Sequence, residues 1–326
     1  MTLLDVQDLE VHFRTGGPKL PGQPSRLVRA VNGVSFTLAP GEALGLVGES
    51  GCGKSTLGRA ILRLGEITGG AIRFGGGIAE GGRAGLARLR RETAMIFQDP
   101  YNALNPRMAV GEAIAEVLRV HRKVPRDRVP ARMAELLTLV GLGPEHASRR
   151  PAELSGGQCQ RVGIARALAV EPKLIIADEC VAALDVSIQA QIINLLIELK
   201  ARMNLALIFI AHDLAVVRRL CDRVAVMYLG RIVEEGAAEA VFAAPQHPYT
   251  RALIRAIPEI DPDRTLPADL LGGEPPSPLD LPPGCAFHPR CAFAMPECRA
   301  GAPPALRPVE GRFTACHLYP AIPARS

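Results

Sequence analysis

Apolar residues recur along this chain in short runs, separated by longer stretches at helical spacing. Residues 3–13 alternate, with Leu4, Val6, Leu9, Val11 and Phe13 apolar, which predicts a half-buried strand. Residues 14–26 read as a Gly/Pro/basic loop, and 28–38 resume the strand pattern. Pro40-Gly41 then turns the chain into Ala43-Leu44-Gly45-Leu46-Val47, apolar enough for a strand covered on both faces. Leu57, Ile61, Leu62 and Leu64 follow at helical spacing. Residues 65–92 read as glycine-rich turns around a strand at 71–74. Further buried strands are predicted at 94–97, 174–177, 205–211 and 223–228, the last continuing into a hairpin through Gly230. Residues 110–141 are helical and place a small helical subdomain at about 105–160. Helices are also predicted at 160–170 and 187–203. Apolar strands alternating with helices predict an α/β fold with a mainly parallel sheet, in which ligands gather at the C-terminal ends of the strands.

The pattern lapses beyond residue 257. Residues 262–326 hold 14 of the 28 prolines and little periodicity, so no packed core is expected there without an external staple. The expected division is therefore 1–257 and 258–326. Composition narrows the reading only a little. Of 326 residues 48% are apolar, which supports a core, and 38 basic against 33 acidic residues leave +5, too mild to point to nucleic acid. No apolar run reaches 18 residues, and the first residues lack the basic and apolar regions of a signal peptide. The expectation is a cytosolic protein whose eight cysteines are thiols or metal ligands.

The chemistry concentrates at Gly48-Glu49-Ser50-Gly51-Cys52-Gly53-Lys54-Ser55-Thr56, which satisfies G-x-x-x-x-G-K-[ST] between a strand and a helix. Glycines let successive backbone N–H groups turn inward, and the new helix adds its positive end, so the loop suits phosphate. Lys54 is placed for the β- and γ-phosphates and Ser55 for Mg²⁺. Cys52, beside Lys54 and near a helix N-terminus, is expected to favour its thiolate, so alkylation should block ATP use and bound ATP should protect. Asp178 and Glu179 end an apolar strand. Asp178 can hold Mg²⁺, and Glu179 can polarise an attacking water as general base. Gln98 and His212 also follow predicted strands, within reach of Mg²⁺ or water and of the γ-phosphate respectively.

Leu154-Ser155-Gly156-Gly157-Gln158 completes a set. With the phosphate loop, Gln98, 174–179, Ala183-Leu184-Asp185 and His212, it resembles the ATP-binding cassette (ABC) ATPases, over about residues 3–257. The resemblance implies an ABC-type phosphate-loop fold, with an N-terminal antiparallel β-subdomain and a helical subdomain. It also implies a head-to-tail dimer, in which Ser155, Gly156, Gly157 and Gln158 of one subunit complete the other's ATP site. Asp185 then belongs to the dimer loop, and Phe13 matches the aromatic that stacks on adenine, although a core strand residue reads the same way.

Closer still, Met95-Ile96-Phe97-Gln98-Asp99-Pro100, Leu104-Asn105-Pro106-Arg107, residues 184–191 and Gln246-His247-Pro248-Tyr249-Thr250 resemble the oligopeptide/dipeptide importer ATPases. That implies an ATPase on the cytoplasmic face of the inner membrane, docked on two permeases and served by an extracytoplasmic peptide-binding protein. Alternative readings are an importer of nickel or glutathione and a soluble ABC ATPase. Two residues depart from the pattern: Cys180 follows Glu179 where proline is usual, and Cys159 follows the signature where glutamine is usual.

Cys285, Cys291, Cys298 and Cys316 leave gaps of five, six and seventeen residues, wider at first than structural zinc sites use. Thiolates on short proline-bounded loops suit a 4Fe–4S cluster, which the resemblance also suggests for this extension. Zinc and free thiols remain open alternatives.

Overall fold

The computed structural model describes residues 2–15, 26–78, 82–257 and 272–319. Among them the strands are β1 (Leu4–Thr15), β2 (Arg26–Leu38), β3 (Ala43–Val47), β4 (Gly69–Phe74), β5 (Gly77–Ile78), β6 (Thr93–Ile96), β7 (Leu174–Asp178), β8 (Ala206–Ala211), β9 (Arg223–Tyr228), β10 (Arg231–Ala237), β11 (Arg307–Val309) and β12 (Arg312–Thr314). The helices are α1 (Lys54–Ile61), α2 (Gly82–Glu92), α3 (Val110–Val120), α4 (Val129–Leu139), α5 (Gly156–Leu168), α6 (Val186–Met203), α7 (Leu214–Leu220), α8 (Ala238–Ala243) and α9 (Pro248–Arg255). The loop expected at 14–26 and the start of the proline-rich tail lie largely outside the described residues.

Two compact units divide the chain. The first comprises Met1–Asp5, Thr37–Ala43 and Arg73–Ile210; the second comprises Val6–Phe36, Leu44–Ile72 and Ala211–Ser326.

In the first unit, β6, β7 and β8 lie parallel in that sequence, with Ala94 opposite Ile175 and Ile175 opposite Leu207. Every residue of β7 and β8 is buried, as the unbroken apolar runs predict for parallel strands. Helices α3, α4 and α5 pack on one another. Their buried residues, among them Ile114, Leu118, Leu136, Leu137, Val162 and Leu168, recur at helical spacing and make the subdomain's core. The last of these helices opens at Gly156, inside the signature, rather than at 160. The turns expected over 65–92 are also incomplete. Residues 82–92 form α2, whose single buried side chain is Leu89, so an apolar stripe never announces it.

In the second unit, β9 carries β3 parallel on one side and β10 antiparallel on the other. β10 in turn pairs with β12, and β12 with β11, both antiparallel. The extension therefore has structure of its own making. Its hairpin joins the sheet, and Phe287, Cys298, Val309, Thr314 and Cys316 are buried, which corrects the expectation of a coreless tail. Glu234 of β10 is fully buried, and its carboxylate accepts hydrogen bonds from the backbone N–H groups of Gln246 (2.9 Å) and His247 (2.8 Å). Those bonds fix the start of α9.

Candidate functional site

The phosphate loop and the residues that hold it belong to the second unit. β3 delivers Gly48 from a fully buried strand, and α1 begins at Lys54. Gly53 has φ +107°, and a Cβ there would lie 2.0 Å from the Ala30 carbonyl oxygen, so no other residue fits without moving the backbone. Lys54 is 4% exposed; its Nζ donates to the carbonyls of Gly48 (2.7 Å) and Glu49 (2.9 Å). The ammonium is thus held against the loop it serves. The Tyr249 hydroxyl accepts from the Glu49 N–H (2.9 Å), and Arg290 grips the Glu49 carboxylate with both terminal nitrogens.

Cys52 does not behave as expected. Burial pushes its thiol above the ordinary range, and this outweighs the opposing pull of Lys54. At 4% exposure the sulfur is also shielded from reagents. Lys54 pulls the thiol down and burial pushes it up; burial prevails, which corrects the expectation of a favoured thiolate at Cys52.

Phe13 on β1 is half exposed, which removes the core alternative and leaves an aromatic face free to stack. His212 follows β8 and is exposed; Asp213 beside it caps α7 by accepting from the Ala215 N–H (2.8 Å).

The acidic pair and the signature belong to the first unit. Asp178, 2% exposed, ends β7. Glu179 has φ +45°, an unusual backbone for a side chain of this kind, and its N–H donates to the Ile210 carbonyl (3.0 Å). The Gln98 side-chain amide donates to Glu179 Oε2 (2.8 Å), so two residues 81 positions apart meet at one carboxylate. Next in the chain, Cys180 is 1% exposed and burial pushes its thiol up to about 12, so it stays neutral beside the acids. Cys159 is fully buried in α5, its thiol raised to about 11 by the same cause.

Ser155 is the N-cap of α5. Its Oγ accepts from the Gln158 N–H (3.3 Å) while Gln158 Oε1 accepts from the Ser155 N–H (3.0 Å), a reciprocal capping box. Beyond the cap, Gly156 and Gly157 open α5, whose positive N-terminal end suits anions. Gly157 must be glycine because a Cβ would stand 2.6 Å from Ile188 Cγ2 on α6, and Asp185 is the N-cap of that helix. Tyr101, which no motif signals, donates its hydroxyl to the Leu154 carbonyl (3.2 Å) and braces the signature from the loop after β6.

These local geometries stand with likenesses to known families, relatives and solved structures. An ABC transporter family model matches residues 31–182, and a model of the oligopeptide/dipeptide transporter C-terminal region matches 233–298. The oligopeptide transport ATP-binding protein OppF of Salmonella typhimurium is 53% identical, over 92% of each chain. The chain belongs to the oligopeptide/dipeptide family of ABC transporter ATP-binding proteins. The di/tripeptide transport ATP-binding protein DppF of Pseudomonas aeruginosa is 46% identical over 97% of each chain. Among solved structures, the ATP-binding cassette MJ0796, a dimer in a post-hydrolysis state bound to ADP and Pi, matches with a TM-score of 0.64 and 26% identity, over 72% of this chain and 99% of that one. This family member is accordingly an ABC ATPase, and its α/β fold is that of the cassette.

The four late cysteines lie in the second unit, Cys298 and Cys316 buried, Cys285 and Cys291 partly so. The Cys285 N–H donates to the Cys298 carbonyl (3.0 Å), tying two of the loops together. Burial raises the Cys285 thiol to about 11, with smaller upward pushes from Cys298, Cys316 and Cys291. Among the described residues, however, no three or more His, Cys, Asp or Glu side chains are gathered so as to hold a metal ion. As placed, the thiols do not form a closed ligand set.

Among the described residues, no helix is long and apolar enough to cross a membrane. The residues that sequence reasoning missed at the phosphate loop are Tyr249, Arg290 and Phe287. Tyr249 had a signal, because it lies in the Gln-His-Pro-Tyr stretch that marks the subfamily. Arg290 had none.

Proposed function

We propose that this chain is the ATP-hydrolysing subunit of an importer of di- or oligopeptides, held peripherally on the cytoplasmic face of the membrane by two permease subunits. Likeness to OppF and DppF over nearly the whole chain, extension included, is the observation that carries this reading. A second cassette, either another copy or a paralogue, and an extracytoplasmic peptide-binding protein complete the assembly.

The site residues take the following roles. Backbone donors of 48–56 and Lys54 bind the phosphates, Phe13 stacks on adenine, and Ser55, Gln98 and Asp178 are the magnesium set. Magnesium, when bound, offsets phosphate charge and aligns the phosphoryl group. Glu179 draws a proton from the attacking water, and the Gln98 amide, bonded to Glu179 Oε2, aims the carboxylate. His212 contacts the γ-phosphate. Ser155, Gly156, Gly157 and Gln158 complete the partner cassette's site, with Asp185 at the dimer contact. Nucleotide-driven dimer closure then moves the helical subdomain and switches the permeases.

The test is Glu179→Gln in the assembled transporter. The variant keeps ATP binding, accumulates as the closed dimer and stops peptide uptake; uptake at the wild-type rate would falsify the role.

For the extension we propose a 4Fe–4S cluster on Cys285, Cys291, Cys298 and Cys316, with Zn²⁺ as the alternative occupant. The all-thiol donor set supports it, and the ligand loops must close further to form it. Iron, sulfide and zinc contents after anaerobic purification decide the occupant, and zinc without iron overturns the cluster.

A further inference from the structure

We propose that Arg290 of the extension is a positioning residue of the phosphate loop, so that the extension sets how tightly the chain holds nucleotide. Glu49 is the second residue of that loop, and each of its polar groups is engaged. Its N–H donates to the Tyr249 hydroxyl (2.9 Å), and its carbonyl accepts from Lys54 Nζ (2.9 Å). Its carboxylate accepts from Arg290 Nη1 (2.7 Å) and Nη2 (2.9 Å), a two-point grip between residues 241 apart. The Arg290 side chain is only 5% exposed and that of Glu49 23%, so water competes weakly for this pair.

Two further groups hold Arg290 in place. Its Nε donates to the Gly272 carbonyl (3.1 Å), and Nη1 lies 3.5 Å from the Tyr228 hydroxyl. Phe287, one short turn earlier, packs on both tyrosines, with ring centroids 5.3 Å from Tyr228 and 5.4 Å from Tyr249. The tyrosines contact each other at 4.6 Å. Fixing Glu49 fixes the start of the loop, so the donors at 50–54 are ordered before the phosphates arrive. A loop ordered in advance loses less freedom on binding, which appears as affinity. Only arginine presents the planar fork this grip needs; lysine keeps the charge and loses the second bond.

The experiment titrates a fluorescent ATP analogue into the full-length chain and the variants Arg290→Gln, Arg290→Lys, Glu49→Gln and the double Arg290→Gln/Glu49→Gln. Affinity for nucleotide is the readout, which the identity of the cargo does not touch. Arg290→Gln weakens binding roughly tenfold and Arg290→Lys by less, because one leaves a half-buried carboxylate unpaired and the other does not. The double variant loses about as much as Arg290→Gln alone, since that change has already released the grip. Unchanged affinity in Arg290→Gln, or a double variant whose loss is the sum of the singles, overturns the proposal. If Arg290→Gln does not fold, the cycle is run with Arg290→Lys on the same criteria.

Discussion

His247 ties the stability of this protein to pH, and the effect can be sized. The residue is 1% exposed and caps α9, its Nδ1 accepting from the Tyr249 N–H (3.0 Å). Burial, aided by the nearby Arg251 charge, drives its pKa down to about 3. In the unfolded chain a histidine titrates near ~6.5. Between those values the unfolded chain binds the proton and the folded one does not, so acid favours unfolding. The contribution is complete above about pH 6.5 and is lost as pH falls towards 3. From pH 7 to pH 5 the loss is about 2 kcal/mol, because only the roughly 1.5 units below ~6.5 count at about 1.36 kcal/mol each. His247→Asn isolates it, because asparagine can cap the same amide and does not titrate. Glu234 and Arg251 face the position in both proteins, so their effects cancel in the comparison. Guanidinium unfolding of both proteins at pH 7 and pH 5 is the assay. The stability gap between them should shift by about 2 kcal/mol in favour of the asparagine variant at pH 5. Parallel pH profiles would refute the reasoning.

Two further outcomes follow from packing. Gly157→Ala forces a Cβ to within 2.6 Å of Ile188 Cγ2 and should cost roughly 1–3 kcal/mol. The loss should appear as a lowered melting temperature and be relieved in the double variant with Ile188→Ala; no change in melting would contradict the clash. Cys52 should label slowly with a thiol reagent in the native chain, with or without nucleotide, and rapidly in denaturant. Fast native labelling that nucleotide prevents would restore the reactive thiol expected from its neighbours.

What the sequence disclosed depended on how local each signal was. The phosphate loop, β3 and β7 are written within a few consecutive residues, and each lies where its pattern placed it. Helix α2 was hidden because its one buried residue, Leu89, leaves no stripe. The hairpin of β11 and β12 was hidden because three-residue strands become strands only through the partner they meet, here β10. The same holds inside the site. Gln98 and Glu179 each carried a motif, but the bond between them, like the Arg290 grip on Glu49, joins positions no window spans. Cys52 failed for a different reason: its neighbours predicted a charge effect that burial overrode.

Pairing of β12 with β10 also bears on solubility. Without residues 307–314, β10 would offer a bare row of N–H and C=O groups to any strand that passed, including one from another copy. The chain fills that row itself and finishes with β11, three residues long and bearing Pro308, which has no N–H to recruit a further neighbour. A fragment ending at residue 257 would leave that edge of β10 open to a strand from another copy.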